Sequence, residues 1–436
     1  MPTYNSPGVY VEEVPPMSRP IAGVSTSTPG FVGVIQDTIS LPYREGGQLQ
    51  WVTHKLDATA LQPYRISSWS NYVQLFGDFV GAEPAGKVAA EAAKKVAEAE
   101  AAADKKSAAA AQKVKDAAAV LAGMTSATGS IAEGQRNLAH AVFGFFNNGG
   151  TNCYVVRVTD NTTIGKALAA LSAIEDISMV AAPGLVEKND HTSLISYATN
   201  LQQFAILDFA KDTAVTALKI ETASPYAATY YPWLEVFDPA ESLINKGNGT
   251  VMVPPSGHIA GVYARSDAAR GVFKAPANEA LLGVTAVRTN VTREEQGTLN
   301  DAGINIIRPL NGALRVWGAR TAGGVSNGEY RYVSTRRYFN YLRQSIDSGT
   351  QFVVFEPHTP ALWQRVKRTL TDFLTNEWRS GALFGETAKQ AFFIKCDAET
   401  NPPETRDQGQ LIVEIGVAIV KPAEFVIFRI QQTSGG

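Results

Sequence analysis

GTQFVVFEPHTPALWQRVKRTLTDFLTNEWRSGALFG at Gly349–Gly385, AFFIKCDAETNPP at Ala391–Pro403 and QLIVEIGVAIVKPAEFVIFRIQQ at Gln410–Gln432 follow one another with almost no spacer. The pattern predicts a strand, a helix, a strand and two further strands, with everything upstream attached to them. The helix is well signed: Thr359 can cap it, Pro360 suits its first position and Gly381 supplies a left-handed stop. Leu362, Val366, Leu370, Phe373 and Leu374 recur at helical spacing, so one face packs on a sheet while Arg365, Arg368 and Asp372 point away. In Leu411–Val420 both alternate sets of residues are largely apolar, which suits a strand covered on both faces. Pro422 breaks the run before another strand at Phe425–Ile430. A terminal strand this apolar needs an edge to pair with. A hairpin within the chain's own sheet satisfies that need, and so does β-augmentation of a neighbouring subunit; periodicity does not separate them.

The chain has 436 residues, 45% hydrophobic and 18% charged, which is enough for two or three packed domains. A formal net charge of -2 argues against a general nucleic-acid binder. Cys153 and Cys396 sit in apolar strand-like runs, which predicts buried free thiols and a reducing compartment. The opening MPTYNSPGVYVEEV lacks the basic start and apolar core of a secretory signal, and no run reaches membrane-spanning length, so membrane insertion is not expected.

Residues 1–22 carry Pro2, Pro7, Pro15, Pro16 and Pro20 around a short alternating strand at Val9–Val14, the pattern of an extended arm. A first core strand follows at Thr28–Ile35, and Ser67 or Ser68 caps a short helix before Gly77. From Glu83 to Leu121 the composition turns to Ala, Lys and Glu. Unbroken, this helix would run about 55 to 60 Å at 1.5 Å per residue. Folded back near Asp104–Ser107 it becomes a solvated surface insertion; a docking element is the functional alternative. Leu138–Phe146 is an apolar helix that stops at Gly149. Strand and helix then alternate through Cys153–Val158, Ile164–Leu171, Ile177–Ala181, Asp190–Leu201 and Phe204–Phe209, which predicts an α/β unit with a parallel sheet. Tyr226–Phe237 reads as one aromatic strand, Pro254–Ala264 as a helix capped by Ser256, and Thr292 with Glu295 as a capping box. Ile304–Ile307 reads as a strand and Tyr330–Asp347 as a helix with Tyr332, Phe339, Leu342 and Ile346 inward.

An α/β unit raises the question of an enzyme. No phosphate-binding glycine loop, G-x-G-x-x-G, H-E-x-x-H, C-x-x-C or G-x-S-x-G occurs. Asp208 reads as a strand-end turn residue, and Ser256 as a helix cap with His258 in the first turn; adjacency in sequence does not build a triad. The five histidines do not cluster, so no metal and no cofactor are expected. One charge feature stands out. Arg315, Arg320, Arg331, Arg336, Arg337 and Arg343 face only Glu329 in sequence, and Arg365, Lys367 and Arg368 follow on the next helix. Such a stripe suits an acidic partner surface or internal pairing with the chain's own carboxylates; nucleic acid is a third reading that lacks a motif.

Eight stretches carry a family resemblance: SPGVYVEEV at Ser6–Val14, FFNNGGTNCYVVRV at Phe145–Val158, EDISMVAAPG at Glu175–Gly184, FAILD at Phe204–Asp208, PPSGHIAGVYARSDAARGVFKAPANE at Pro254–Glu279, LNDAGINIIR at Leu299–Arg308, RVWGARTA at Arg315–Ala322 and NPPETRDQGQLIVEIGVAIVKPAEFVIFRI at Asn401–Ile430. On these the chain resembles contractile tail sheath proteins of bacteriophages and related phage-like injection particles, over nearly its whole length except residues 83 to about 130. The resemblance implies a non-enzymatic subunit whose hexameric rings stack into a helical polymer around an inner tube protein, with baseplate and terminal cap proteins as further partners. Assembly in the cytoplasm of a bacterial cell is implied with it.

By the same resemblance, the expected fold is α/β and α+β multidomain: a middle subtilisin-like α/β domain without a triad, and a C-terminal sheet-and-helix domain with extended N- and C-terminal arms. The divisions are an N-terminal arm at 1–22, an N-terminal sheath region at 23–82, the helical insertion at 83–130, the middle domain at 131–285, an inner sheath domain at 286–420 and a C-terminal strand arm at 421–436. Val9, Tyr10, Val11, Phe425, Val426, Ile427 and Phe428 become the strands exchanged between subunits. Arg336, Arg337, Arg365 and Arg368 become candidate contacts with the tube. A subtilisin-like hydrolase and a secreted surface module are the rival readings.

Overall fold

Strands with apolar residues on both faces fit only the middle of a covered sheet. Pro29–Val34, Cys153–Val158, Met179–Ala181, Phe204–Asp208 and Ala227–Tyr231 are of this kind, almost wholly buried. In the computed structural model, which describes residues 20–84, 86–104, 107–124, 126–245, 247–324 and 328–427, they pair in parallel with each other and with Ile304–Leu310. Among the described residues this sheet has nine strands. Its order is Glu279–Ala280, Ala313–Val316, Ile304–Leu310, Ala227–Tyr231, Phe204–Asp208, Met179–Ala181, Pro29–Val34, Cys153–Val158 and Tyr64–Ile66. The two strands at the first end and the one at the other are antiparallel additions.

The pleat sends alternate residues to opposite layers. Phe31, Val155 and Ile206 join one buried cluster, with Leu138, Val142 and Phe145 of the helix Glu133–Asn147 and Ile259, Val262 and Tyr263 of the helix Ser256–Arg270. Their neighbours Val32, Val156 and Leu207 join the other, with Ile164, Leu168 and Leu171 of the helix Ile164–Leu171 and Leu194 and Ile195 of the helix Lys188–Leu201. Glycine sets the spacing in the first layer: a Cβ at Gly257 would collide with the Ala141 backbone.

The chain divides into two compact units, Ser25–Asn340 with Lys421–Gly436, and Met1–Val24 with Tyr341–Val420. The first holds the nine-stranded sheet, a three-stranded sheet of Thr250–Val253, Leu234–Phe237 and Val284–Val287, and the hairpin of Thr38–Glu45 and Gln48–Lys55. It also holds the Ala/Lys/Glu insertion, folded back as the helices Lys87–Ala103 and Ala108–Met124. Lys113 of the second helix pairs with Glu100 of the first at 2.9 Å, and at the root Lys87 pairs with Glu45 while Ser126 exchanges backbone hydrogen bonds with Trp51.

The second unit is built on the helix Pro360–Arg379, capped by Thr359, whose Oγ1 accepts from the Leu362 N–H at 3.4 Å, and followed by Gly381 at φ 86°. Leu362, Val366, Leu370, Phe373 and Leu374 are buried. The Tyr341 hydroxyl donates to Glu377 of this helix at 2.9 Å. Phe392–Lys395 and Glu414–Val417 form a two-stranded antiparallel sheet, and buried Asn401 ties the approach to it by exchanging hydrogen bonds with the Ile412 backbone at 2.8 and 2.9 Å.

Several expectations change. Pro232 divides Tyr226–Phe237 into two strands, Ala227–Tyr231 and Leu234–Phe237, that enter different sheets. Ile304–Leu310 belongs to the central sheet rather than to a separate inner domain. The strand within Leu411–Val420 is only Glu414–Val417, half-buried rather than covered on both faces. Gln351–Val353 is a short 3-10 turn where a strand was expected. The helix expected from Tyr330 begins at Val333, and Val333, Tyr338 and Leu342 are its buried apolar residues.

Candidate functional site

The catalytic candidates come together, but with the wrong connections. Asp208 ends its strand fully inside the central unit, where its carboxylate accepts from the Ser256 N–H at 2.9 Å, the Ser256 hydroxyl at 2.6 Å and the Gly184 N–H at 3.3 Å. Ser256 is therefore the first residue of its helix and not the cap; Asp208 supplies the acceptor that an unpaired helix N-terminus requires. Burial pushes the Asp208 carboxyl up from an ordinary 3.8 to about 6, against those hydrogen bonds. His258 lies two positions along the helix, where side chains do not share a face. Burial, and then His140, hold it down to about 3, so it is a neutral core residue packed against Gly144. His191 meets the Asp208 main chain instead of its carboxylate. A nucleophilic serine needs an imidazole between it and the acid; here the serine donates to the acid directly. Among the described residues no group of three His, Cys, Asp or Glu could hold a metal, and both cysteines are buried free thiols.

The arginine stripe dissolves into separate internal ties. Arg336 and Arg337 are each only 4% exposed, so neither presents its guanidinium to an outside partner in this conformation. Arg336 lies against the rings of Tyr226, Tyr330 and Phe339 at 4.2 to 5.1 Å and donates to Asn340 at 3.0 Å. Arg337 forms a two-pronged pair with Asp267 at 3.0 and 2.6 Å, donates to the Thr26 carbonyl at 2.8 Å and stacks on Tyr263. A buried charge is tolerated only when paired in this way. In the other unit Arg365 is half-buried, over the Phe352 ring at 4.6 Å, while Arg343 and Arg368 are exposed.

The third feature escaped sequence reasoning. Arg320, 3% exposed, donates from Nε and Nη2 to the two carboxylate oxygens of Glu424, each at 3.0 Å. Asn300 and Tyr332 donate to the same carboxylate at 2.6 and 2.9 Å. Burial opposes ionisation of Glu424, yet the bonds from Arg320, Asn300 and Tyr332 outweigh it and lower its pKa. Directly after this anchor Phe425, Val426 and Ile427 stand 71%, 69% and 79% exposed, with no strand partner among the described residues. Val9, Tyr10, Val11 and Phe428 lie outside the described residues.

Residues 160–322 match the family described as phage tail sheath protein central domain, and residues 325–433 the phage tail sheath C-terminal domain. The chain belongs to the phage tail sheath family. Among curated sheath proteins it is 26% identical over 264 residues to a putative prophage major tail sheath protein of Pseudomonas aeruginosa (strain UCBPP-PA14), covering 58% of this chain and 64% of that one. It is 26% identical over 225 residues to the tail sheath protein of Burkholderia phage BcepMu, covering 50% and 45%. The aligned stretches thus span less than two thirds of these relatives' own length. Two solved sheath structures match over nearly the whole chain. The sheath complex of the extracellular contractile injection system PVC, in its contracted state, gives a TM-score of 0.67 at 28% identity over 99% of both chains. The helical sheath of the anti-feeding prophage, also contracted, gives 0.67 at 27% over 99% of this chain and 100% of that one. The relatives this chain matches are structural sheath proteins rather than enzymes. No helix among its described residues is long and apolar enough to cross a membrane.

In a sheath protein Asp208 is a structural tie with a pH signature. Its raised pKa means the folded chain holds this proton more tightly than the unfolded chain does. The stability it contributes is therefore full below about pH 4 and is lost as pH rises through about 6, a change on the order of 3 kcal/mol. Asp208→Asn can keep both bonds to Ser256 and is expected to flatten this part of the profile in thermal unfolding of the full chain. An unchanged slope between about pH 4 and 6 would assign the dependence to other groups.

Proposed function

We propose that this chain is the structural subunit of a contractile sheath in a phage tail or phage-like particle, forming stacked hexameric rings around an inner tube. Contraction drives the tube through a target envelope by rigid-body rearrangement of subunits, without hydrolysis. The observation that carries this reading is the likeness to contracted sheaths over nearly the full length of both chains. The central parallel sheet, covered on both faces, is the subtilisin-like scaffold of the reading, with its serine tied to its acid.

The terminal segments are the exchanged strands. Phe425, Val426 and Ile427 leave the Glu424 anchor with apolar side chains in solvent. A strand in that state gains main-chain hydrogen bonds and apolar burial together when it joins the edge of another subunit's sheet. The acceptor is the small sheet of Phe392–Lys395 and Glu414–Val417, which has two strands among the described residues. Val9–Val11 are assigned the same role by resemblance alone. Tube contact falls to Arg368, and to Arg365 at the margin, since burial withdraws Arg336 and Arg337. Baseplate and terminal cap proteins complete the particle, which assembles in the bacterial cytoplasm.

Electron microscopy of the full-length chain beside one lacking Lys421–Gly436 tests the strand exchange. The full chain is expected to give hollow striated tubes or stacked rings that the shortened chain does not form; equal assembly by both would contradict it. Arg368→Glu is expected to weaken co-assembly with the tube protein, and high salt should weaken the unaltered contact similarly because exposed charges are screened. Undiminished co-assembly of that variant would remove Arg368 from the tube interface.

A further inference from the structure

The hydrogen bonds that hold residues 421–427 to the central unit all end, among the described residues, on the carboxylate of Glu424. On the carboxyl side of Glu424 the chain is exposed and apolar; on its amino side Lys421 and Ala423 are exposed too. The segment is therefore fixed at a point and not along a length.

The two partners are not equivalent. Arg320 has supports that do not involve Glu424: its Nη1 donates to the Asn300 carbonyl and to Asp301, each at 3.0 Å, and its main chain exchanges hydrogen bonds with Asn305 at 2.8 Å. The guanidinium is held in place from behind, with its Nε and Nη2 edge aimed at one carboxylate. A two-pronged arginine–carboxylate pair fixes direction as well as distance, which a single ammonium contact does not.

We infer that the Arg320–Glu424 clamp is a positioning device for the outgoing C-terminal strand: it fixes the residue at which the strand leaves the central unit, and with it the register in which Phe425, Val426 and Ile427 pair on a second copy of this chain. Register matters because a slip of one residue turns every side chain to the opposite face of the sheet. This inference rests on the strand-exchange reading and adds Arg320 and Glu424 to it as positioning residues.

The test compares two single-glycine insertions in the full-length chain, one between Val420 and Lys421 and one between Glu424 and Phe425. The shortened chain lacking Lys421–Gly436 serves as control. A clamp absorbs the upstream insertion and passes the downstream one into the strand. The upstream variant is thus expected to assemble like the parent. The downstream variant and Glu424→Gln are expected to need about tenfold more protein to assemble, the loss of roughly one charge-assisted hydrogen bond. All three should melt within about 3 °C of the parent, because Arg320 keeps its bonds to Asp301 and the Asn300 carbonyl when the Glu424 charge is removed or displaced. Insertions that behave alike, or Glu424→Gln that assembles like the parent while the shortened chain does not, would overturn the clamp and leave strand exchange standing. A large fall in melting temperature would make the pair a structural tie instead. Normal assembly by the shortened chain would remove the strand-exchange reading itself, and the clamp's role with it.

Discussion

Which strand edges are paired among the described residues, and which are left open, is the constraint on which this structure turns. In the nine-stranded sheet the parallel strands are paired on both sides and covered on both faces, and only the short antiparallel strands Glu279–Ala280 and Tyr64–Ile66 leave an edge open among the described residues. The sheet of Phe392–Lys395 and Glu414–Val417 is the opposite case, with two strands of four residues each, mostly half-exposed. Two-stranded sheets are marginal on their own. This one depends on the helix Pro360–Arg379 and on Asn401, which mimics a strand partner for Ile412. On the proposed reading, a well-paired body combined with a sheet that can accept a further strand lets a subunit stay intact while its connections to neighbours move.

The interior charges serve the first requirement. Arg157, Arg320, Arg336 and Arg337 are all buried; Arg157, Arg320 and Arg337 spend donors on carbonyls or carboxylates from distant parts of the chain, while Arg336 donates to Asn340 one turn along its own helix. Breaking the Arg337–Asp267 pair from one side is expected to cost about 3 to 5 kcal/mol, because a charge is left buried without compensation. Arg157, Arg320 and Arg337 act as cross-ties between elements far apart in sequence, such as Arg337 with Thr26 and Asp267. Asp208 does the same as an acceptor, joining the end of a strand to the start of a helix.

Much of the fold was legible because local signals agreed with tertiary ones. Thr359, Pro360 and Gly381 bracket their helix, Thr292 and Glu295 form the capping box, and Asp104–Ser107 marks the fold-back. Cys153–Val158 and Ile164–Leu171 have the bounds that periodicity assigned. What escaped lies between distant residues. Arginine is usually a surface residue, so a run of arginines reads as a surface until Tyr226, Asp267 and Tyr330 are seen to enclose it. Glu424 gave no signal either, since its partners Asn300, Arg320 and Tyr332 lie roughly a hundred positions upstream. Ser256 has the composition of a cap, but a carboxylate from another strand occupies that role. Pattern reports which faces are apolar; it is blind to which charge meets which.

The most direct test of the account is amide hydrogen exchange on the full-length chain, dispersed and assembled. Strand exchange predicts that amides at Phe425–Ile427 and along Phe392–Lys395 and Glu414–Val417 gain protection together on assembly, while those of Cys153–Val158 and Phe204–Asp208 stay as they were. Phe425–Ile427 exchanging as fast in the assembled particle as in the free chain would contradict it.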